Sequence, residues 1–240
     1  MTKIFIMAQG RGRRWKPHDG RLKDLPSIKH LIAIGKYGAP IISRTQILIT
    51  LHSQHLPMKI EYTVVATPWD SGQSPPTHFF TLAEPTGPLI DGIYQTRPMW
   101  GERVIFLLGD VVFSHALIDV ILLDTGELTF FGRLGPNPVT GKAASELFGV
   151  AIAEERYEDV LAWMAKATAR GSEFTYPCPR LWDLYYNFED QGRLVSLKGD
   201  YTDDIDSIQE YDQFWHSLNR EAAEDDDSCW CDLRRKELFP

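Results

Sequence analysis

The sequence predicts an α/β fold in which a largely parallel sheet is covered by helices on both faces. Three observations predict it. Short runs rich in β-branched and aromatic residues recur at Lys3 to Ala8, Ile60 to Ala66, His78 to Ala83, Arg103 to Leu108, Glu127 to Gly132 and Leu147 to Ala153, as buried strands require. Between and after them, apolar residues repeat at helical spacing: Tyr157, Val160, Leu161, Met164 and Thr168, then Ile208, Tyr211, Trp215 and Leu218. The chain has neither an internal repeat nor a long low-complexity linker, so the alternation belongs to one layered domain. We place that domain at residues 1–220 and a tail at 221–240, acidic from Glu224 to Asp227 and basic from Arg234 to Lys236.

Bulk properties narrow the function classes. The hydrophobic content of 43% over 240 residues supports a sizeable core. No run approaches the ~18 apolar residues of a membrane helix, and Met1 to Met7 is too short an apolar run for a signal peptide, so a cytoplasmic protein is expected. The net charge of −8 argues against broad adhesion to nucleic acid or to an anionic membrane. Three cysteines, Cys178, Cys229 and Cys231, have neither a disulfide framework's count nor a zinc knuckle's spacing. Against this acidic background Arg11, Arg13, Arg14, Lys16, Arg21, Lys23 and Lys29 crowd one stretch with only Asp19 and Asp24 opposing. Two readings fit that patch: a solvated basic loop, or a seat for a small polyanion.

The first strand ends in Ala8-Gln9-Gly10-Arg11-Gly12-Arg13-Arg14-Trp15-Lys16-Pro17, followed by Lys29-His-Leu-Ile-Ala-Ile and a helix opening near Pro40. It is not a dinucleotide fingerprint, because Trp15 stands where the third glycine belongs. Gly135 to Lys142 is not a P-loop either, since its spacing is one residue too long and Ala143 replaces Ser or Thr. Glycines that admit backbone N–H groups to phosphate oxygens, beside arginine and lysine, suit a phosphate cradle. A tight turn with incidental basic residues is the competing reading.

Acidic residues supply the second signal. The run Val104 to Leu108 ends in Gly109-Asp110, which puts a carboxylate at the sheet edge where open α/β folds bind ligands. Far downstream, Asp203-Asp204-Ile205-Asp206 precedes Ser207 with Glu210 three residues on, a capping box that starts a helix. The aspartates either complement the helix dipole or hold a cation. Magnesium needs only one or two carboxylates beside phosphate oxygens and water, which Asp110 with Asp204 or Asp206 would provide.

Together these motifs resemble the sugar-phosphate nucleotidyltransferases, whose Ala-Gly-Gly-x-Gly-x-Arg signature continues into x-x-Pro and a later Lys-x-Leu. Gly10, Gly12, Arg14, Pro17 and Lys29 match by position, whereas Gln9 replaces the family's first glycine and the gap from Arg14 to Lys29 is longer than in compact members. The stretch Asp204 to Tyr211 and the upstream Trp182-Asp183-Leu184-Tyr185-Tyr186 look most like the bacterial choline-phosphate cytidylyltransferase branch. The resemblance implies a Rossmann-like three-layer α/β/α sandwich with a mostly parallel mixed sheet. It also implies transfer of a nucleoside monophosphate from a nucleoside triphosphate to a phosphorylated small acceptor, with pyrophosphate released and Mg2+ as cofactor. By resemblance Arg14, Lys29 and Asp110 are catalytic, Ala8, Gln9, Gly10, Gly12, Arg13, Gly87 and Asp91 bind nucleotide, and Asp110, Asp204 and Asp206 hold the metal. For Gly87 and Asp91 a loop and helix-cap role is equally compatible. Lys142 or Arg133 would supply the cation that the family uses near the acceptor phosphate. The acceptor is a sugar 1-phosphate or, alternatively, phosphocholine or another phosphoalcohol, and a homo-oligomer fits the family. A relative that binds nucleotide without catalysis is the reading from another class.

Trp182, Tyr185, Tyr186 and Phe188 beside Asp183 either pack as core or wall an acceptor site, including a cage for a quaternary ammonium. Seven histidines show no metal-ligand spacing and flank no nucleophile pattern, so a hydrolase triad is not indicated.

Overall fold

The computed structural model describes residues 1–8, 33–34, 39–66, 79–81, 89–170 and 180–224. Seven strands form the main sheet: β1 (Thr2–Met7), β4 (Ile60–Ala66), β5 (Phe79–Thr81), β6 (Arg103–Leu108), β8 (Leu128–Arg133), β9 (Glu146–Ala153) and β10 (Arg193–Val195). Their order is β10-β8-β9-β6-β1-β4-β5. Every pairing is parallel except the two made by β9, with β6 and with β8. The mostly parallel mixed sheet expected from sequence is therefore present. One consequence matters for the site: the carboxyl ends of β1, β6 and β8 and the amino end of β9 share one edge.

Strand alternation sorts the core into two faces. Ile4, Ile6, Ile105, Leu107, Phe131 and Ala151 point toward α1 (Ile41–Ser53) and α3 (His115–Leu123). Phe5, Met7, Val104, Phe106, Phe130 and Val150 point toward α2 (Leu89–Gln95), α4 (Tyr157–Arg170) and α5 (Leu181–Phe188). Helices on both sides cover the strands, which explains why those strands read as apolar runs. A third, smaller core of Ile34, Ile41, Val112, Ile205, Phe214 and Leu218 seats α6 (Ile208–Glu224) against two short ladders, β2 (Ala33–Ile34) with β3 (Ala39–Pro40) and β7 (Val111–Val112) with β11 (Asp203–Asp204). No helix among the described residues is long and apolar enough to cross a membrane.

Local chemistry fixes several element ends. The Ser114 hydroxyl caps α3 by accepting from the Leu117 amide at 3.0 Å. The Glu210 carboxylate accepts from the Ser207 amide at 3.1 Å and Ser207 Oγ from the Glu210 amide at 3.2 Å, so the capping box foreseen in the sequence opens α6. That helix runs on past residue 220 to Glu224. At the opposite sheet edge the buried Asp124 carboxylate accepts from both Arg103 and Arg193, tying β6, α3 and β10 together. Arg44, itself buried, donates to the Phe113 carbonyl at 3.0 Å and to the Tyr201 hydroxyl at 3.2 Å.

Gly149 of β9 lies opposite Leu107 of β6. A Cβ there would lie 2.6 Å from the Phe106 carbonyl oxygen and 2.9 Å from Leu107 Cδ2, and the strand backbone has little room to yield. Gly149→Ala is expected to destabilise the fold by about 1–3 kcal/mol, the range for overpacked cores. Equilibrium urea unfolding checks it through a lower midpoint at unchanged slope.

Candidate functional site

β6 delivers its last residues beside the exit of β1. The Gly109 amide donates to the Met7 carbonyl at 3.0 Å and the Ala8 amide to Val65 at 2.7 Å. A Cβ on Gly109 would meet the Met7 carbonyl at 3.0 Å and Ala8 Cα at 3.1 Å, so glycine permits this approach of two strand ends. Ala8 is buried and lies against Gly109, one residue before Asp110. Immediately after Asp110, β7 pairs antiparallel with β11, Val111 opposite Asp204 and Val112 opposite Asp203. Backbone pairing thus brings Asp110 next to a segment almost a hundred residues later, with Asp206 two residues further on.

The aspartates of this segment part company by burial. Asp203 is wholly buried. It accepts from Arg133 Nη2 on both carboxylate oxygens at 3.2 Å and from the Thr140 hydroxyl at 3.2 Å. Burial pushes its carboxyl up, against the pull of Lys142 and Arg133. Asp204 and Asp206 keep 16% and 15% of their side chains exposed. Lys142 Nζ stands between them, 2.5 Å from Asp204 Oδ1 and 3.5 Å from Asp206 Oδ2, with Asp203 at 4.0 Å and Glu146 at 3.7 Å. Burial opposes the charge on Lys142, but its bond to Asp204 and the fields of Asp204, Asp203 and Asp206 outweigh that and hold the ammonium above its ordinary pKa. Glu146 is raised by burial and then by the Asp204 charge, with Lys142 opposing.

The loop that presents Lys142 is built from within. The Asn137 side chain accepts from the Val139 and Thr140 amides at 2.8 and 2.9 Å and donates to the Tyr201 carbonyl at 2.8 Å. Buried Arg133 donates to the carbonyls of Gly135 and Lys142. Of the two cations left open by the sequence, Arg133 is consumed in building the loop and in pairing Asp203, whereas Lys142 faces the carboxylate cluster. Neither arrangement is visible in the sequence, where Arg133 and Asp203 stand 70 residues apart.

Other residues singled out from sequence fall in different places. Gln9, Gly10, Gly12, Arg13, Arg14, Pro17, Lys29 and Gly87 lie outside the described residues, as do Cys178, Cys229 and Cys231. Asp91 lies in the first turn of α2 rather than at its cap. The aromatic group divides: Phe188 is core, and Tyr185 packs edge-on against Phe130 at 5.2 Å. Trp182 stacks on Tyr186 at 5.6 Å, and Tyr186 is 62% exposed. These rings wall a cavity of about 720 Å³ with Leu134 and Ser145, which belong to the same sheet edge as Arg133 and Glu146. The Asp183 carboxylate accepts from the Arg180 amide at 2.7 Å and so caps α5.

A larger cavity, about 910 Å³, opens between α1, α3 and residues 197–201 and contains none of the clustered carboxylates. Its wall holds an interlock without sequence signature. His52 Nε2 and His115 Nδ1 lie 3.0 Å apart, and His52 Nδ1 pairs with Asp119.

A group of three or more His, Cys, Asp or Glu arranged to hold a metal is absent among the described residues. Magnesium needs fewer protein ligands than that. The Lys142 ammonium is a stand-in that shows a cation fits between Asp204 and Asp206, and hard carboxylate oxygens are the donors magnesium prefers.

Solved structures of nucleotidyltransferases share this fold. The solved structures that share it include a candidate glucose-1-phosphate thymidylyltransferase of Bacillus anthracis, with a TM-score of 0.63 at 13% identity over 91% of this chain and 95% of that one. The CTP:phosphocholine cytidylyltransferase of Streptococcus pneumoniae gives 0.60 at 14% identity over 91% and 99%. The inositol-1-phosphate CTP transferase of T. maritima gives 0.56 at 11% over 95% and 98%. No protein-family model matches the chain, and no curated protein matches it in sequence.

The pairing of Arg133 with Asp203 makes a strong prediction. Arg133→Met removes the nearest cation from the buried Asp203 carboxylate, leaving it the Thr140 hydroxyl, the Asp204 amide and Lys142 at 4.0 Å, and is expected to cost about 3 kcal/mol. Chemical denaturation of that variant checks it, and adding Asp203→Asn should recover part of the loss.

Proposed function

We propose that the protein is a magnesium-dependent nucleotidyltransferase. It transfers a nucleoside monophosphate from a nucleoside triphosphate to a phosphorylated small acceptor, a sugar 1-phosphate first, and releases pyrophosphate. The observation that supports this reading is the β7–β11 pairing, which lays the strand that follows Asp110 against Asp203 and Asp204 in a fold shared with nucleotidyltransferases. In the reaction an acceptor phosphate oxygen attacks the α-phosphorus while the bond to the pyrophosphate oxygen breaks in line. A phosphate dianion is already a nucleophile, so no general base is needed. The protein aligns two anions that repel each other and neutralises charge as it builds.

Asp110, Asp204 and Asp206 are the residues that would hold magnesium, which when bound supplies charge neutralisation on the triphosphate. Arg14 and the amides from Ala8 through Gln9, Gly10, Gly12 and Arg13 would take the departing pyrophosphate, and Lys29 the α-phosphate. Gly87 and Asp91 would lie toward the nucleoside. Lys142 would meet the acceptor phosphate, a role supported by its partial exposure beside the cluster.

A phosphoalcohol acceptor such as phosphocholine is the second reading. The exposed Trp182–Tyr186 stack on a cavity at the same edge favours it, since ring faces attract a quaternary ammonium. Pyrophosphate release measured across the common nucleoside triphosphates with sugar 1-phosphates and phosphoalcohols separates the two. Nucleotide binding with no pyrophosphate from any pair would instead leave a non-catalytic nucleotide-binding protein. In the productive pair, Asp110→Asn is expected to lower turnover roughly a hundredfold or more, the scale of one lost preorganised electrostatic contact. Undiminished turnover would remove Asp110 from the mechanism.

A further inference from the structure

We propose that Lys142 is an internal competitor for the cation: its ammonium holds the space between Asp204 and Asp206 in the free protein and must leave when a divalent cation enters. This rests on the preceding reading of Asp110, Asp204 and Asp206 as the cation's ligands.

The distances make joint occupancy unfavourable. Lys142 Nζ is 2.5 Å from Asp204 Oδ1. An ion coordinated by that oxygen at about 2.1 Å would lie at most about 4.6 Å from the ammonium. Two like charges that close, in a partly dehydrated cluster, repel strongly. The ammonium donates to Asp204 Oδ1 and Asp206 Oδ2, oxygens that a metal would also use.

The surroundings let the ammonium move without the loop. The Lys142 carbonyl is fixed by the Asn137 amide at 3.0 Å and by Arg133 Nη1 at 3.0 Å. The stem beyond it has four rotatable carbons, and 18% of the side chain reaches solvent. Arg133 lacks that freedom, since it is 3% exposed and pinned to two carbonyls and a carboxylate.

A coupling follows. A bare divalent ion must displace Lys142 into water with no new anion to meet it. An ion that arrives with nucleotide brings phosphate oxygens that Lys142 can pair with. Cation binding is therefore weak alone and strengthened by nucleotide, so the two enter together rather than cation first.

The test is Mn2+ binding to the nucleotide-free full chain, read from the electron paramagnetic resonance signal of free Mn2+. Wild type, Lys142→Met, Lys142→Arg and Asp204→Asn are compared. Lys142→Met should bind Mn2+ about tenfold or more tightly than wild type, equivalent to about 1.4 kcal/mol, while Lys142→Arg binds no more tightly than wild type and Asp204→Asn binds more weakly. If Lys142→Met is unstable without metal, its melting temperature should rise more with Mn2+ than that of wild type. Lys142→Met affinity no tighter than wild type, with Asp204→Asn weakened, overturns the competition and leaves the metal reading standing. Asp204→Asn binding as well as wild type overturns both.

Discussion

The site depends on one electrostatic constraint: four carboxylates are gathered at the sheet edge, and two cations meet them. Asp203, Asp204, Asp206 and Glu146 surround Lys142, and Arg133 pairs only with Asp203. Among these described residues four negative charges face two positive ones, and Asp110 stands alongside through β7. Clustered like charge costs stability unless further positive charge enters, and it concentrates cations at the same time. The fold tolerates it because Asp203, the fully buried carboxylate of the cluster, is satisfied within the protein by four donor contacts.

Topology explains why the cluster forms where it does. With β9 alone reversed, the ends of β1, β6 and β8 and the start of β9 converge, so Ala8, Asp110, Arg133 and Glu146 reach one edge from four separate strands. The β7–β11 ladder then adds the last piece from beyond the sheet. Its two residue pairs contribute little by area, yet the buried side chains of Val112 and Ile205 lock it against α6 through Phe214 and Leu218. The capping box at Ser207 fixes where that helix begins, and hence how far Asp206 stands from Asp204.

Much of the fold is legible in the sequence because its signals are local. Strands covered on both faces must be apolar along their length, and Arg103 to Leu108 or Ile60 to Ala66 can be read without a partner. The periodicity of α4 and the Ser207–Glu210 box are equally local. The site is legible only in part. Asp110 is suspicious from its place after a strand, but its neighbour is set by pairing with residues 203–204, and two-residue strands leave no pattern. Asp203 and Asp204 are indistinguishable as letters. Strand alternation turns one inward to Arg133 and leaves the other beside Lys142, a separation that only the register fixes. The His52–His115 interlock is hidden for the same reason, its partners lying 63 residues apart. The neighbouring structures, at 11% to 14% identity over more than nine-tenths of the chain, show that such an arrangement of layers survives when few residues coincide.

The two basic residues of the site show how side-chain chemistry divides labour. Arg133 presents a rigid planar fork, and its geometry matches a carboxylate and two carbonyls at once. Such a group suits permanent construction, since moving it would strand several partners together. Lys142 offers a point charge on a flexible stem, and its contacts with Asp204, Asp206 and Glu146 differ in length from 2.5 to 3.7 Å. No single geometry binds it, so it can exchange one set of anions for another at modest cost. Swapping the two residue types would therefore invert the site: a lysine at position 133 would leave the loop carbonyls underserved, and an arginine at position 142 would hold the aspartates with a fork less ready to let go.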